Sequence, residues 1–223
     1  FNQRYKKVWI RKKTKTQNFL MKIVIIDYGC GNILSVKRAL EKIGFDSAFS
    51  RDPIEISEAT HIILPGVGAF GYAMSLLSKY KLVETIKKHA FNKKPLLGIC
   101  LGMQLLLSKS SEFGNFEGLN LIKGTVKNIS KKNNEIKVPH IGWNTIKLEK
   151  QGDNYGFADN KSFYFVHSFI GITNNPNSTL AFTNYEGIKI PAIIKEENIT
   201  GFQFHPEKSH YTGLELIKNF CND

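Results

Sequence analysis

The sequence predicts an α/β fold: a doubly wound, mostly parallel sheet with helices on both faces and antiparallel strands added in its second half. Three observations predict it. From Met21 onward, short β-branched runs alternate with segments of helical period. The apolar run at 96–99 meets a glycine-bounded turn that leads into a helix-forming stretch. After residue 120 the apolar runs shorten and are separated by turns rich in Asn, Gly and Lys.

Taken in order, residues 23–27 read as the first strand. Ile33, Val36, Leu40 and Ile43 then recur at three and four, one apolar helix face that Gly44 can stop. Residues 47–51 form a weaker strand. Residues 61–64 read as a buried strand running into Pro65-Gly66-Val67-Gly68, a turn expected to lie outside any regular element. One helix is expected at about 72–89, then a strand at 96–99 reaching Cys100 and a helix at 101–107. Later strands are expected around Val126, at 141–146, at 163–166 and around Ile193. Thr212-Gly-Leu-Glu215 has capping-box spacing and is expected to open a final helix burying Leu216, Ile217 and Phe220.

Composition bounds the function. The chain has 223 residues, 42% of them hydrophobic, enough for one substantial core. No run approaches the roughly 18 consecutive apolar residues of a membrane-spanning helix, and no signal-like stretch follows the basic start. Cys30, Cys100 and Cys221 form neither a disulfide framework nor a zinc spacing, which fits reduced thiols in a cytoplasm.

The formal charge of +12 raises the question of nucleic acid, but its distribution argues against it. Residues 1–20 carry seven basic groups and no acid, leaving +5 on the rest of the chain. Those residues show no periodicity and are expected to lie outside the natural start, as a cloning remnant or an upstream translated stretch. The competing reading is a basic arm that contacts phosphate or a partner. A single domain is expected over 21–223.

Gly98-Ile99-Cys100-Leu101-Gly102 has the form of a nucleophile elbow with cysteine in the serine position. Small residues two before and two after allow the sharp turn that lifts the sulfur from the sheet edge. A helix N-terminus and a neighbouring imidazolium can bring a thiol pKa from about 8.5 to roughly 3.5–7.5. The bland reading is a buried apolar cysteine. Gly201-Phe-Gln-Phe-His205-Pro206-Glu207 supplies a partner: a strand delivers His205, Pro206 ends regular pairing, and Glu207 can orient the ring. His61, His89, His140, His167 and His210 lack such an arrangement and read as surface or satisfied core groups. The turn at 65–68 could offer backbone amides to an oxyanion, and glycine on both sides of Val67 would allow a peptide flip.

Gly-Ile-Cys-Leu-Gly-Met-Gln at 98–104 with His205-Pro206-Glu207 resembles the class I glutamine amidotransferases, a family with a Cys-His-Glu triad. Asp27-Tyr-Gly-Cys-Gly-Asn32, Pro65-Gly-Val-Gly-Ala-Phe70 and Val138-Pro-His-Ile-Gly-Trp-Asn144 are similar to the glutaminase subunits of imidazole glycerol phosphate synthases within that family. The resemblance implies Cys100 as the nucleophile that forms a glutamyl thioester, His205 as general acid and base, and Glu207 as its orienter. It places Gly66, Val67 and Leu101 at the oxyanion, and Gln104, Glu112, Ser168 and Phe169 around the amino-acid end of glutamine. Asn32, Trp143, Tyr164 and Lys208 would face a separate (β/α)₈ cyclase that receives the ammonia and makes imidazole glycerol phosphate for histidine biosynthesis. No metal, nucleotide or flavin is implied. Two positions depart from the pattern: Phe169 stands where relatives carry tyrosine, and His210 where they carry a small or amide residue.

Other readings compete. Gly29-Cys30-Gly31 after the first strand suggests a dinucleotide fingerprint, but the third glycine it requires is Leu34. A duplicate glutaminase could instead feed a surface-sugar amidation pathway, since the triad does not fix the acceptor. A nucleic-acid-binding protein using the basic arm is the third.

Overall fold

The computed structural model describes residues 21–129, 136–149 and 154–223. The basic stretch at 1–20 lies outside the described residues. The first half alternates strands and helices: β1 (Ile23–Ile26), α1 (Ile33–Lys42), β2 (Ser47–Ser50), α2 (Pro53–Glu58), β3 (His61–Gly66), α3 (Phe70–Lys79), α4 (Leu82–Phe91), β4 (Leu96–Cys100) and α5 (Leu101–Leu105). The second half is mainly strands: β5 (Lys109–Ser110), β6 (Phe116–Glu117), β7 (Gly124–Asn128), β8 (His140–Leu148), β9 (Ser162–His167), β10 (Phe169–Thr173), β11 (Thr179–Tyr185), β12 (Ile188–Glu196) and β13 (Ile199–Phe202), closed by α6 (His210–Phe220).

Among the described residues a nine-stranded sheet runs β2-β1-β3-β4-β13-β12-β11-β8-β9. The ladders from β2 to β13 are parallel, and those from β13 outward are antiparallel. A smaller sheet, β10-β7-β5-β6, lies apart from it. The central strands β1, β3 and β4 are buried along their length without alternation because both faces are covered, whereas the edge strand β2 is largely exposed. Ile25, Ile63 and Leu97 pack with Val36 and Leu40 of α1 and Leu216 and Phe220 of α6. Their neighbours Val24, Ile62 and Leu96 pack on the other face with Ile56, Leu77, Ile86 and Met103. Burying each such side chain is worth roughly 1.5–3 kcal/mol.

Several boundaries differ from the sequence reading. β3 continues through Pro65 to Gly66, in register with Ile99 and Cys100 of β4, so the turn begins at Val67. The helix expected at 72–89 is two. Lys81 adopts a left-handed conformation, φ 58°, and its N–H bonds Ser78 O at 3.0 Å, ending α3 without glycine or proline. α3 starts earlier, at Phe70, because the Glu112 carboxylate accepts its N–H at 2.6 Å. α5 stops at Leu105. α6 begins at His210, ahead of the proposed capping box, and Ser209 beside it makes no cap. Its hydroxyl donates instead to His205 O at 2.6 Å and accepts from Tyr164 N–H at 3.0 Å.

α2 was not anticipated, although its signals stand in the sequence: Asp52 accepts from Ile54 N–H at 2.8 Å and Pro53 occupies the first turn.

Candidate active site

β4 ends at Cys100, where φ is 55° and ψ −110°, and α5 starts with the next residue. A non-glycine residue held there costs about 1–3 kcal/mol and persists only if its surroundings enforce it. They do. α5 lies so close to β3 and β4 that a β-carbon at Gly102 would sit 1.8 Å from Leu64 O. One at Gly98 would sit 2.7 Å from Gly102 C. The elbow is therefore built on two close approaches that only glycine allows, with the thiol thrown to the carboxyl edge of the sheet.

β13 is β4's neighbour in parallel register, Phe202 opposite Ile99, so the chain after β13 arrives beside the same edge. His205 N–H bonds Tyr164 O of β9 at 2.9 Å, and Pro206 opens a short 3₁₀ turn, Pro206–Lys208, that carries Glu207 back under the ring. His205 Nδ1 lies 2.8 Å from Glu207 Oε1, with side-chain exposures of 3% and 1%. Nε2 is buried and makes no hydrogen bond among the described residues. Burial alone would keep the ring neutral; the attractions of Cys100 and then of Glu207 outweigh it and the pKa is pushed up to about 10.

Above the thiol, Cys100 Sγ lies 3.8 Å from Val166 O. Gly66, opposite Cys100 in the β3–β4 register, is hemmed by Tyr28 and α5: a β-carbon there would meet Tyr28 Oη at 2.7 Å and Gly102 N at 2.9 Å. Tyr28 Oη donates to Pro65 O at 2.9 Å and fixes that strand end. Burial, then the nearby Cys30 and Cys100, raises the pKa of this phenol, so it stays a donor. Val67, by contrast, is 45% exposed, and Gly68, with φ 105°, has open space where a β-carbon would sit.

These groups bound a cavity of about 310 Å³, lined by Val67, Gly68, Cys100, Leu101, Gln104, Glu112, Phe113, Val166, His167, Ser168 and Phe169. Its size suits a small-molecule ligand. Glu112 is its buried anion. Burial raises the carboxyl pKa, and the Phe70 N–H opposes the shift. Gln104 Nε2 donates to Phe169 O at 2.8 Å and to Gln203 Oε1 at 3.2 Å, joining α5 to the opposite wall.

A strained cysteine elbow and a buried imidazole–carboxylate pair thus stand beside a small cavity that holds a buried carboxyl group. The family described as "Glutamine amidotransferase class-I" matches residues 24–223. The chain belongs to the class-I glutamine amidotransferases.

Within that family it is similar to "Imidazole glycerol phosphate synthase subunit HisH 1" of Legionella pneumophila (strain Lens), 45% identical over 207 residues covering 89% of this chain and 97% of the relative. It is 47% identical over 199 residues to "Imidazole glycerol phosphate synthase subunit HisH" of Oceanobacillus iheyensis, covering 89% and 97%. A chain of the PurLQS structure from Thermotoga maritima shares the fold, with TM-score 0.68 at 19% identity over 91% of this chain and 98% of that one.

In this amidotransferase the residues singled out from sequence fall into three places. Val67, Cys100, Leu101, Gln104, Glu112, Ser168 and Phe169 line the cavity, while His205, Glu207 and Gly66 are not part of its lining. The Phe169 carbonyl accepts from Gln104 Nε2 at 2.8 Å and lies 2.9 Å from His167 Nδ1. Trp143, Tyr164 and Lys208 cluster outside: the Trp143 and Tyr164 rings are 6.0 Å apart and Lys208 lies 5.7 Å from the Tyr164 ring. Asn32 caps α1, accepting from Ser35 N–H at 3.3 Å, and α1 packs beside the 206–208 turn.

Sequence reading missed Tyr28, Phe113, Val166 and His167. Tyr28 had a signal in the motif that precedes Asn32; Phe113 and Val166 had none. His140 and His167, read as surface or satisfied core groups, are buried and lie 3.1 Å from each other through Nδ1 and Nε2. Among the described residues no cluster of His, Cys, Asp or Glu is arranged to hold a metal ion, and no helix is long and apolar enough to cross a membrane.

Proposed function

We propose that this chain is the glutaminase subunit of an imidazole glycerol phosphate synthase: it hydrolyses glutamine and delivers ammonia to a (β/α)₈ cyclase subunit in histidine biosynthesis. The single observation that carries the reading is the buried His205 ring, held by Glu207 on Nδ1 and charge-stabilised by Cys100, which lines a cavity of about 310 Å³. Relatives at 44–47% identity over most of the chain carry that enzyme's name.

In the proposed reaction the Cys100 thiol gives its proton to His205 Nε2 and the sulfur attacks the glutamine carboxamide carbon. The C–O π electrons move onto oxygen, where the Leu101 N–H and an amide of the Gly66–Val67 segment stabilise the charge. Cys100 is the strongest of the attractions that raise the His205 pKa. Once sulfur is acylated that attraction disappears, the ring becomes a better acid, and its proton passes to the departing nitrogen as the C–N bond breaks. Water, deprotonated by the neutral ring, then cleaves the thioester to glutamate. Glu207 accepts from Nδ1–H throughout and so holds the ring in one tautomer.

Glu112 is assigned to the α-ammonium of glutamine, with Gln104, Ser168 and Phe169 shaping that end of the cavity. Asn32, Trp143, Tyr164 and Lys208 are assigned to the cyclase-facing surface. The Val67–Gly68 peptide, with Val67 exposed and open space beside Gly68, is the part that docking would set. Slow hydrolysis by the isolated chain follows, with acceleration by the cyclase and its nucleotide ligand.

The experiment combines purified chain, cyclase, the cyclase's nucleotide substrate and glutamine. Imidazole product formation, with glutamine turnover rising on addition of the cyclase, supports the reading. Equal glutamine turnover with and without the cyclase, and no imidazole product, would redirect it to another acceptor such as a sugar.

A further inference from the structure

A line of hydrogen bonds crosses the interior from the cavity wall to β8. Phe169 O lies 2.9 Å from His167 Nδ1; His167 Nε2 lies 3.1 Å from His140 Nδ1; His140 Nε2 lies 2.8 Å from Asn144 Oδ1; and Asn144 Nδ2 donates to Asn184 O at 3.2 Å. His140 is fully buried and held between the rings of Phe165 and Tyr185, at 4.9 and 4.0 Å. His167 lines the cavity directly, between Val166, whose carbonyl faces Cys100, and Ser168.

Proton counting shows which end of this line is firm. Phe169 O can only accept, so His167 carries its proton on Nδ1 and its Nε2 becomes an acceptor. His140 must then donate from Nδ1. Burial lowers the pKa of both rings, so the pair is neutral and has only these two protons for three contacts. The unfilled contact is the one to Asn144, which is completed if the amide turns its Nδ2 to the ring and releases Asn184 O. The cavity end is fully satisfied, and the slack lies on β8 beside Trp143.

We propose that His140 and His167 are positioning residues for glutamine: neutral, both protonated at Nδ1, they fix the Ser168–Phe169 wall against α5 and tie it to β8. This rests on the reading of the cavity as the glutamine site. Neither ring is hydrogen-bonded to Cys100, His205 or Glu207. Their effect runs through Phe169 O, which Gln104 also grips.

The test has two arms. Ring nitrogen and proton NMR of the isolated chain near pH 7 reads the tautomers without reference to activity, and both rings are expected as Nδ1–H. His167 protonated at Nε2 instead, or either ring cationic, overturns the assignment. In the chain–cyclase complex, His140→Leu is expected to raise the glutamine KM roughly tenfold, the scale of one lost buried hydrogen bond. His140→Asn, whose Nδ2 can stand in for the ring Nδ1, is expected to restore KM to within about threefold of the parent. An unchanged KM in His140→Leu, or equal losses in Leu and Asn, overturns the positioning role. Absence of glutamine turnover in the parent complex would instead remove the glutaminase reading, leaving the tautomer arm standing.

Discussion

The carboxylate of Glu207 and the imidazole of His205 meet at 2.8 Å through Nδ1, with almost no solvent reaching either side chain. Proline between them in sequence makes the pairing local, and the bond from His205 N–H to Tyr164 O holds the segment against β9. Replacing the carboxylate by an amide of the same shape removes the charge while keeping the fold. Glu207→Gln is expected to lower the His205 pKa and to cut kcat for glutamine by about 10²- to 10⁴-fold, the range of general acid–base catalysis. Steady-state kinetics in the complex and an NMR titration of the ring check both. A variant with undiminished kcat would remove Glu207 from the mechanism.

Among the described residues Glu112 is the only carboxylate lining the cavity. Its Oε2 accepts from Phe70 N–H at 2.6 Å, which aims the other oxygen without consuming it. Glu112→Gln is expected to raise the glutamine KM by about 10- to 100-fold, the scale of a charge-assisted hydrogen bond, with a smaller change in kcat. A loss confined to kcat would move Glu112 from binding to chemistry.

The elbow rests on backbone proximity, so a single methyl group should break it. Gly102→Ala would place a β-carbon 1.8 Å from Leu64 O, a backbone atom that cannot yield without moving β3. The expected cost is about 1–3 kcal/mol or more, together with loss of glutaminase activity. Gly156 has open space around its α-carbon, and Gly156→Ala should change the urea midpoint little in either direction. Equal midpoints for the two variants would show that the close approach does not constrain the fold.

Acid should destabilise the chain through its buried histidines. Burial lowers the pKa of His89 to about 4 and that of His167 to about 3, from an ordinary 6.5. Above 6.5 neither state binds these protons. Below it the unfolded chain takes them up while the folded chain refuses, so stability falls as pH drops from 6.5 toward 4. His89→Gln keeps a donor for Pro95 O, which His89 Nε2 meets at 3.0 Å, and should flatten part of that decline in urea titrations at pH 7 and pH 5. Identical slopes in parent and variant would contradict the assignment.

Much of this was readable beforehand because the decisive residues carry local signals. Cysteine between glycines after an apolar run gives an elbow, and histidine before Pro-Glu at a strand end gives its partner. The central parallel strands read as apolar runs because both faces are buried. Failures occurred where structure is set by distant groups. α3 begins at Phe70 because Glu112, 42 residues away, accepts its N–H. It ends at Lys79, and the left-handed Lys81 that follows turns the chain with no glycine to announce it. Ser209 does not cap α6 because its hydroxyl is engaged by His205 and Tyr164. The two-residue strands β5 and β6 are too short to show periodicity, and so the smaller sheet was illegible. The His140–His167 contact joins residues 27 apart and leaves no mark on spacing.

The most direct measurement compares glutamine with an ammonium salt as nitrogen source in the chain–cyclase complex carrying Cys100→Ala. Imidazole product from the ammonium salt at the parent's rate, with none from glutamine, is the expected result. It shows the partner docked and competent while the sulfur alone is missing. Product from glutamine at a rate near the parent's would contradict the assignment of Cys100 as nucleophile.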